Sequence, residues 1–404
     1  MECGLLGRKL GHSYSPQIHA KLGTYSYQLF EKEPAELESF LKEGTWSGIN
    51  VTIPYKQDVI PYLDDLSPTA AKLGAVNCIV RRDGKLTGHN TDYFGFQRMV
   101  QSSGLSIAGK KVLVLGTGGA SKPVVAVMEE LGGQVVQISR SGENNYQNLH
   151  RHEDAAVIVN ATPVGMYPNT GISPVDLSLF PQLEGVLDII FNPARTQLLL
   201  DAEARGLVAV NGLLMLVAQA KEAAEWFLNT TLEYSLIDTI HTALRQQMEN
   251  IVLIGMPGCG KSTVGQMLAE RLEKTFVDGD AEIVKLAGKP IPEIFAQDGE
   301  DVFRDWETKS LAQLGKGSGL VIATGGGCVT RERNYPLLHQ NGTIYWIKRD
   351  LEKLPIDGRP LSQTNKLTDL YEKRQPLYAA FADHIVQNDG TLEETLAHFQ
   401  EETP

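Results

Sequence analysis

The chain has 404 residues, 42% of them apolar and 21% charged, with a formal net charge of −12. That length exceeds one ordinary hydrophobic core and predicts two or three domains, while the acidic balance argues against a polyanion-binding surface and requires any anionic ligand to be held by local cations. No apolar run approaches the roughly 20 residues that span a bilayer, the opening segment MECGLLGRKLGHS has no signal-peptide apolar region, and Cys3, Cys78, Cys259 and Cys328 lie too far apart for metal-ligand spacing; a cytoplasmic protein with neither nucleic acid nor membrane as partner is predicted.

From residue 111 onward, apolar runs at 111–115, 135–138, 156–159 and 185–189 alternate with helical periods. This is the rhythm of a parallel sheet with crossover helices. The first run leads into GTGGAS, in which Gly116 and Gly118 permit a tight turn and close approach of a pyrophosphate, and Ser121 opens a helix in place of the usual third glycine. At the end of the next run stand Ser139, Arg140 and Ser141, where an NAD site wants a carboxylate. A guanidinium fork and two hydroxyls suit a 2′-phosphate, which points to NADP.

Residues 213–247 carry a long helical pattern without Gly or Pro, and an apolar run starts at Ile251, which puts a domain boundary near 246–250. The run ends in GMPGCGKST, followed by an amphipathic stretch over 264–272. Strand, loop and helix are the context a phosphate-binding loop requires. Its amides, from Gly258, Cys259, Gly260, Ser262 and Thr263, converge on phosphates at a helix N-terminus; Lys261 reaches the outer phosphates and Ser262 ligates magnesium. Cys259, inside this loop, reads either as a redox-sensitive thiol or as a small residue chosen for fit.

Residues 1–245 resemble shikimate dehydrogenase, through LGHSYSP, NVTIPYK, GAVN, NTD, GTGGAS, NATPVGM, FNP and NGLLMLVAQ in that order. The resemblance implies an α/β substrate domain at 1–101, completed by helices from about 213–246, and an NADP-binding Rossmann domain at 102–212. It implies further that Ser13 and Ser15 hold the substrate carboxylate, that Asn50, Thr52, Asn77 and Gln219 hold its oxygens, and that Lys56 and Asp92 form the catalytic pair. Gly116, Thr117, Gly118, Gly119, Ala120, Ser139, Arg140, Ser141, Ile189, Gly212 and Met215 fall at cofactor positions. In physical terms, hydride reduction of a ketone needs a proton and a cation for the developing alkoxide, and Lys56 supplies either. Three positions depart from the family pattern: Tyr93 after NTD, Cys78 after GAVN, and Phe191, a substrate-site position that usually carries Tyr.

Residues 250–404 resemble shikimate kinase, through the phosphate loop, FVDGD, IFAQDGEDVFRDWE, ATGGG, GRPL and KRQPLY. This implies a five-stranded parallel sheet similar to nucleoside monophosphate kinases, with Asp280, Arg304, Gly326 and Arg374 on shikimate, Asp280 as the catalytic acceptor beside Lys261, Asp278 supporting the metal through water, and Arg359 at the ATP phosphates. The segment IKRDLEKLPIDGRPL is short and offers few arginines. Surface ion pairing of Arg304 with Glu300 or Glu307 on one helix face is the competing reading.

The product expected of the first part is the substrate expected of the second. Together they imply an enzyme that reduces 3-dehydroshikimate with NADPH and phosphorylates shikimate with Mg-ATP, in aromatic amino acid biosynthesis. The alternatives are a catabolic quinate or shikimate dehydrogenase fused to a kinase, and a metabolite-sensing regulator without turnover.

Overall fold

The computed structural model describes residues 1–11, 13–354 and 367–401, the side chains of 400 and 401 excepted. Three sheets account for the strands. The first contains β1 (Glu2–Gly7), β2 (Ser26–Glu31), β3 (Gly48–Val51), β4 (Asp65–Leu66), β5 (Cys78–Arg82) and β6 (Lys85–His89), in the order β2-β1-β3-β5-β6-β4. It is mixed: β1 is parallel to β2 and β3, whereas β5 runs antiparallel to β3 and β6. The second contains β7 (Lys111–Leu115), β8 (Gln134–Ile138), β9 (Val157–Asn160), β10 (Gly185–Asp188) and β11 (Val208–Val210), all parallel, in the order β11-β10-β9-β7-β8. The third, also wholly parallel, contains β12 (Asn250–Ile254), β13 (Thr275–Asp278), β14 (Leu320–Ala323), β15 (Gly342–Lys348) and β16 (His384–Gln387), in the order β13-β14-β12-β15-β16.

The second and third sheets read as near-continuous apolar runs because helices cover both faces. In β7, Val112 and Val114 enter one core with Val124 and Val127, while Leu113 and Leu115 enter another with Phe180 and Leu198. Parallel pairing also puts both glycine turns at the carboxyl ends of interior strands, with a helix starting at Ser121 after one and at Lys261 after the other.

Two compact units result. One comprises Met1–Met166, Ile172–Phe191 and Leu198–Leu244 and holds the first two sheets; the other comprises Tyr167–Gly171, Asn192–Gln197 and the chain from Arg245 on, and holds the third. The division falls inside the helix Ser235–Met248. The helical pattern over 213–247 forms two helices, Leu213–Leu228 and Ser235–Met248, because Asn229 adopts the left-handed conformation (φ 54°) that ends the first. Asn tolerates that conformation, so a helix can stop with neither Gly nor Pro.

The helix Leu213–Leu228 touches both sheets of the first unit. Near its start, Gly212 is so close to Ile189 that a Cβ would strike the Ile189 carbonyl, and a Cβ at Gly95 would come within 2.6 Å of the Met215 carbonyl. Near its end, Phe227 packs on Gly48 and on the rings of His19 and Tyr25.

Two buried histidines flank this helix. The His19 ring stacks on Tyr27 (4.0 Å between centroids) and its Nδ1 is 2.7 Å from the Tyr25 hydroxyl. His89 stacks on Trp226 at 3.7 Å, and neither of its ring nitrogens has a hydrogen-bond partner among the described residues. Burial lowers His19 to about 3, and burial, with Arg82 nearby, lowers His89 to about 4. Both are neutral in the folded unit and take up protons when it unfolds below pH ~6.5. Their contribution is therefore fully present above that pH and is lost as pH falls from 6.5 toward 4, at up to about 1.4 kcal/mol per pH unit for each ring. Urea unfolding between pH 7 and 4.5 should show this decline. His89→Phe, which keeps the stack without a titrating group, should remove its share of the decline and leave that of His19; an equally steep decline in the variant would assign the pH dependence elsewhere.

Candidate active sites

In the first unit the expected substrate residues converge through a continuous run of contacts. Ser15 opens the helix Ser15–Leu22, and its amide donates to Ser13 Oγ at 3.2 Å. The half-buried Tyr27 side chain contacts Ser15 and donates its hydroxyl to Asn50 Oδ1 at 2.8 Å. Asn50, near the end of β3 and just ahead of Thr52, faces the Asn77 carbonyl through Nδ2 at 3.4 Å. Asn77 Nδ2 donates to Thr91 Oγ1 at 3.0 Å, Asn77 Oδ1 accepts from the Thr91 amide at 2.6 Å, and both side chains reach Gln219 Oε1 at 3.4–3.5 Å.

Asp92, the next residue, begins the helix Asp92–Ser103 and accepts from Lys56 Nζ at 2.6 Å, with 16% of the lysine side chain and 11% of the aspartate exposed. Both charges are thus mostly out of water and neutralise each other, in a setting where electrostatic interactions act strongly. Lys56 lies in the turn after β3, whose neighbour Tyr55 is fully buried and donates to the Lys32 carbonyl. The arrangement can deliver a proton to, or take one from, an oxygen placed beside Lys56.

The three atypical positions leave these contacts in place. Cys78 is wholly buried at the head of β5, Tyr93 reaches across to the Glu130 carboxylate, and Phe191 meets the Tyr14 ring edge-on at 6.1 Å between centroids.

The cofactor turn follows β7. Gly116 has φ +105°, and a Cβ on it would press on Thr162 and the Ala161 carbonyl, so glycine is required. Around Gly118 and Gly119, by contrast, a Cβ would meet nothing within 4 Å. Thr117 and Ala120 complete the turn, and Ser121 Oγ donates back to the Gly118 carbonyl at 2.8 Å. Because Leu115 pairs with Ile138, Ser139 to Ser141 emerge beside this turn. Ser139 Oγ accepts from the Gly142 amide, while Arg140 is exposed and has no ion pair among the described residues. An open glycine cradle beside a free guanidinium fits a dinucleotide bearing a 2′-phosphate. Ile189 and Gly212 meet across the ends of β10 and β11, and Met215 is buried in the core beneath.

In the second unit a cleft of about 550 Å³ is lined by Gly258, Gly260, Lys261, Ser262 and Thr263 on one side and by Asp280, Arg304, Gly326 and Arg374 on another. Gly258 and Gly260 have φ +86° and +98°, and Lys261 Nζ donates to the Gly255 and Met256 carbonyls at 2.9 and 3.0 Å. Ser262 Oγ donates to Asp278 Oδ2 at 2.9 Å, and Asp278 Oδ1 caps the helix Gly279–Ala287 that carries Asp280. One hydroxyl backed by one carboxylate fits magnesium, which keeps most of its water.

Arg304 bonds Glu307 at 2.8 Å and Glu300 at 3.1 Å. The surface-pairing reading is corrected in one respect: the pairs exist, but Arg304 is 5% exposed, and its guanidinium lies flat on Gly327, where a Cβ would strike it. Burial pushes the Glu307 carboxyl above its usual range against the pull of Arg304. Arg374 Nη1 donates to the Gly326 carbonyl at 3.0 Å, and the Tyr378 hydroxyl donates to the same oxygen. Cys259 is wholly buried and its Sγ lies 3.9 Å from Lys261 Nζ. Arg359 lies outside the described residues.

Tyr27, Thr91, Glu307 and Tyr378 escaped the sequence reading. Thr91, Glu307 and Tyr378 stand inside the motifs NTD, IFAQDGEDVFRDWE and KRQPLY but carry no site role there, whereas Tyr27 meets Asn50 from 23 residues away and nothing local marks it.

The shikimate dehydrogenase substrate binding domain pattern matches residues 5–79 and the shikimate kinase pattern residues 257–403. A shikimate dehydrogenase (NADP(+)) of Clostridium perfringens is 36% identical over 265 residues, covering 60% of this chain and 97% of that protein. Among solved structures, shikimate 5-dehydrogenase from Thermus thermophilus in complex with NADP(H) and shikimate is 30% identical with a TM-score of 0.56, covering 60% of this chain and 99% of the other. A chorismate mutase/shikimate 5-dehydrogenase fusion protein from Clostridium acetobutylicum is 34% identical with a TM-score of 0.58, covering 61% and 97%. The chain therefore belongs to the shikimate dehydrogenase family, and carries a shikimate kinase domain in the same polypeptide.

Proposed function

We propose that the first unit reduces 3-dehydroshikimate to shikimate with NADPH and that the second transfers the γ-phosphoryl group of ATP to shikimate, giving shikimate 3-phosphate. The observation that carries the first half is the 2.6 Å pair of Lys56 and Asp92, at the end of a polar run that begins at Ser13. In this reading Ser13 and Ser15 bind the carboxylate; Asn50, Thr52, Asn77 and Gln219 bind the ring oxygens; and Lys56, oriented by Asp92, protonates the alkoxide. NADPH, cradled at Gly116 to Ala120 with Arg140 on its 2′-phosphate and Ile189, Gly212 and Met215 toward its nicotinamide end, supplies the hydride. Phe191 lacks the hydroxyl of the usual Tyr and contributes shape only.

For the second half, the phosphate loop and the Arg304–Asp280–Arg374 cluster share one cleft. Two guanidinium groups suit a carboxylate, and Asp280 suits the attacking hydroxyl. Lys261 neutralises charge on the outer phosphates as the hydroxyl attacks in line. Magnesium would be held by Ser262 directly and by Asp278 through water, and would supply further neutralisation of phosphate charge. Arg359 is proposed as a phosphate ligand from its motif alone. Four buried free cysteines suit a reducing cytoplasm.

A coupled assay on the full chain tests the reading. Purified protein with 3-dehydroshikimate should oxidise NADPH, and Mg-ATP should then yield ADP. Lys56→Ala should cut the first activity by at least about 100-fold and spare the second, and Lys261→Ala the reverse. Ligand binding without either turnover would instead favour a sensor.

Two finer variants probe positioning. Tyr27→Phe removes the donor that fixes the Asn50 amide, so KM for 3-dehydroshikimate should rise by roughly 3- to 10-fold while KM for NADPH stays put. Gly327→Ala should displace the Arg304 guanidinium, raise KM for shikimate by about 10-fold or more and leave the reductase untouched. Equal KM values in either variant would remove that residue from the account.

A further inference from the structure

Four cations line the cleft of the second unit: Lys261, Arg304, Arg349 and Arg374. Three are already committed. Lys261 bonds two loop carbonyls, Arg304 bonds two glutamates, and Arg374 bonds the Gly326 carbonyl. Arg349 donates no hydrogen bond to any described residue, and its Nε is buried without a partner. Asp389 feels its charge, yet the Asp389 carboxylate is taken up by the Asp350 amide and the Gln387 side chain. A buried donor left open in a cleft is costly unless something else fills it.

The topology of the sheet says which part of a ligand that is. Its order is β13-β14-β12-β15-β16. The phosphate loop leaves β12; Asp280 and Gly326 follow β13 and β14, on one side of it. Arg349 follows β15 directly, on the other side, where β15 pairs with β12 and with β16. A nucleotide anchored at β12 that presents its terminal phosphoryl group toward β13 and β14 must run its inner phosphates toward β15. A guanidinium fork matches phosphate oxygens in geometry and charge.

We infer that Arg349 binds the inner, α- and β-phosphates of the nucleotide, from a fixed position at the end of a core strand. The inference rests on the kinase reading for the identity of the nucleotide, so its test reads binding as well as turnover. In the full chain, calorimetric titration with Mg-ADP should give a Kd roughly 10- to 100-fold weaker for Arg349→Ala than for the unaltered protein. Arg349→Lys, which keeps the charge and loses the fork, should fall between. Adenosine, which has no phosphate, should inhibit the two proteins equally. In turnover, KM for ATP should rise with KM for shikimate and the rate of NADPH oxidation unchanged. An ADP affinity unaltered in Arg349→Ala overturns the inference, as does an equal loss for adenosine, which would move the contact to the base. Unaltered protein that binds ADP normally but does not phosphorylate shikimate would instead remove the kinase reading and leave the Arg349 comparison intact.

Discussion

A parallel strand and the helix after it deliver a carboxyl end and a positive helix end to the same edge of a sheet, and both glycine turns of this chain exploit that constraint. After β7, the turn Gly116–Ala120 leads into the helix at Ser121; after β12, the loop leads into the helix at Lys261. In a chain of net charge −12, backbone amides supply attraction for phosphates without adding cations to the surface. The glycines follow from this. Gly116, Gly258 and Gly260 hold positive φ angles, whereas Gly118 and Gly119 leave open space that a side chain would occupy.

Side-chain charges are treated differently from backbone dipoles. Lys56 with Asp92, and Arg304 with Glu307, are pairs whose members are largely withdrawn from solvent. Such pairs cost desolvation energy and are weak stabilisers, so their presence in clefts is better explained by chemistry than by folding. Each also leaves one member able to face a ligand. Glu307 illustrates the division of labour: one oxygen holds Arg304, while the other is buried near Gly325 and Asp280 without a partner among the described residues.

Much of this organisation was legible in the sequence. The apolar runs of β7, β9, β10 and β12 announced buried parallel strands within a residue or so, and contiguous motifs such as GTGGAS and GMPGCGKST carried their context with them. The mixed pairing of the first sheet was not legible, because the strands that pair there are short and interrupted by turns. The break at Asn229 was hidden for a different reason: Asn is compatible with helix periodicity and becomes a stop only when its backbone turns left-handed. Among site residues, those inside motifs could be named, while Tyr27 and Arg349 could not. A hydroxyl 23 residues from its acceptor, or an arginine marked out only by having no hydrogen-bond partner among the described residues, has no local signature.

The helix Leu213–Leu228 packs Met215 into the core beside Val112 and Val114 and brings Gln219 against Asn77 and Thr91, four residues apart on a single rod. Their axial separation is one helical turn, about 6 Å. The spacing of these two positions is therefore set by peptide geometry. Evolution can retune either pocket by changing side chains around this rod, but it cannot alter their spacing without inserting or deleting residues within it.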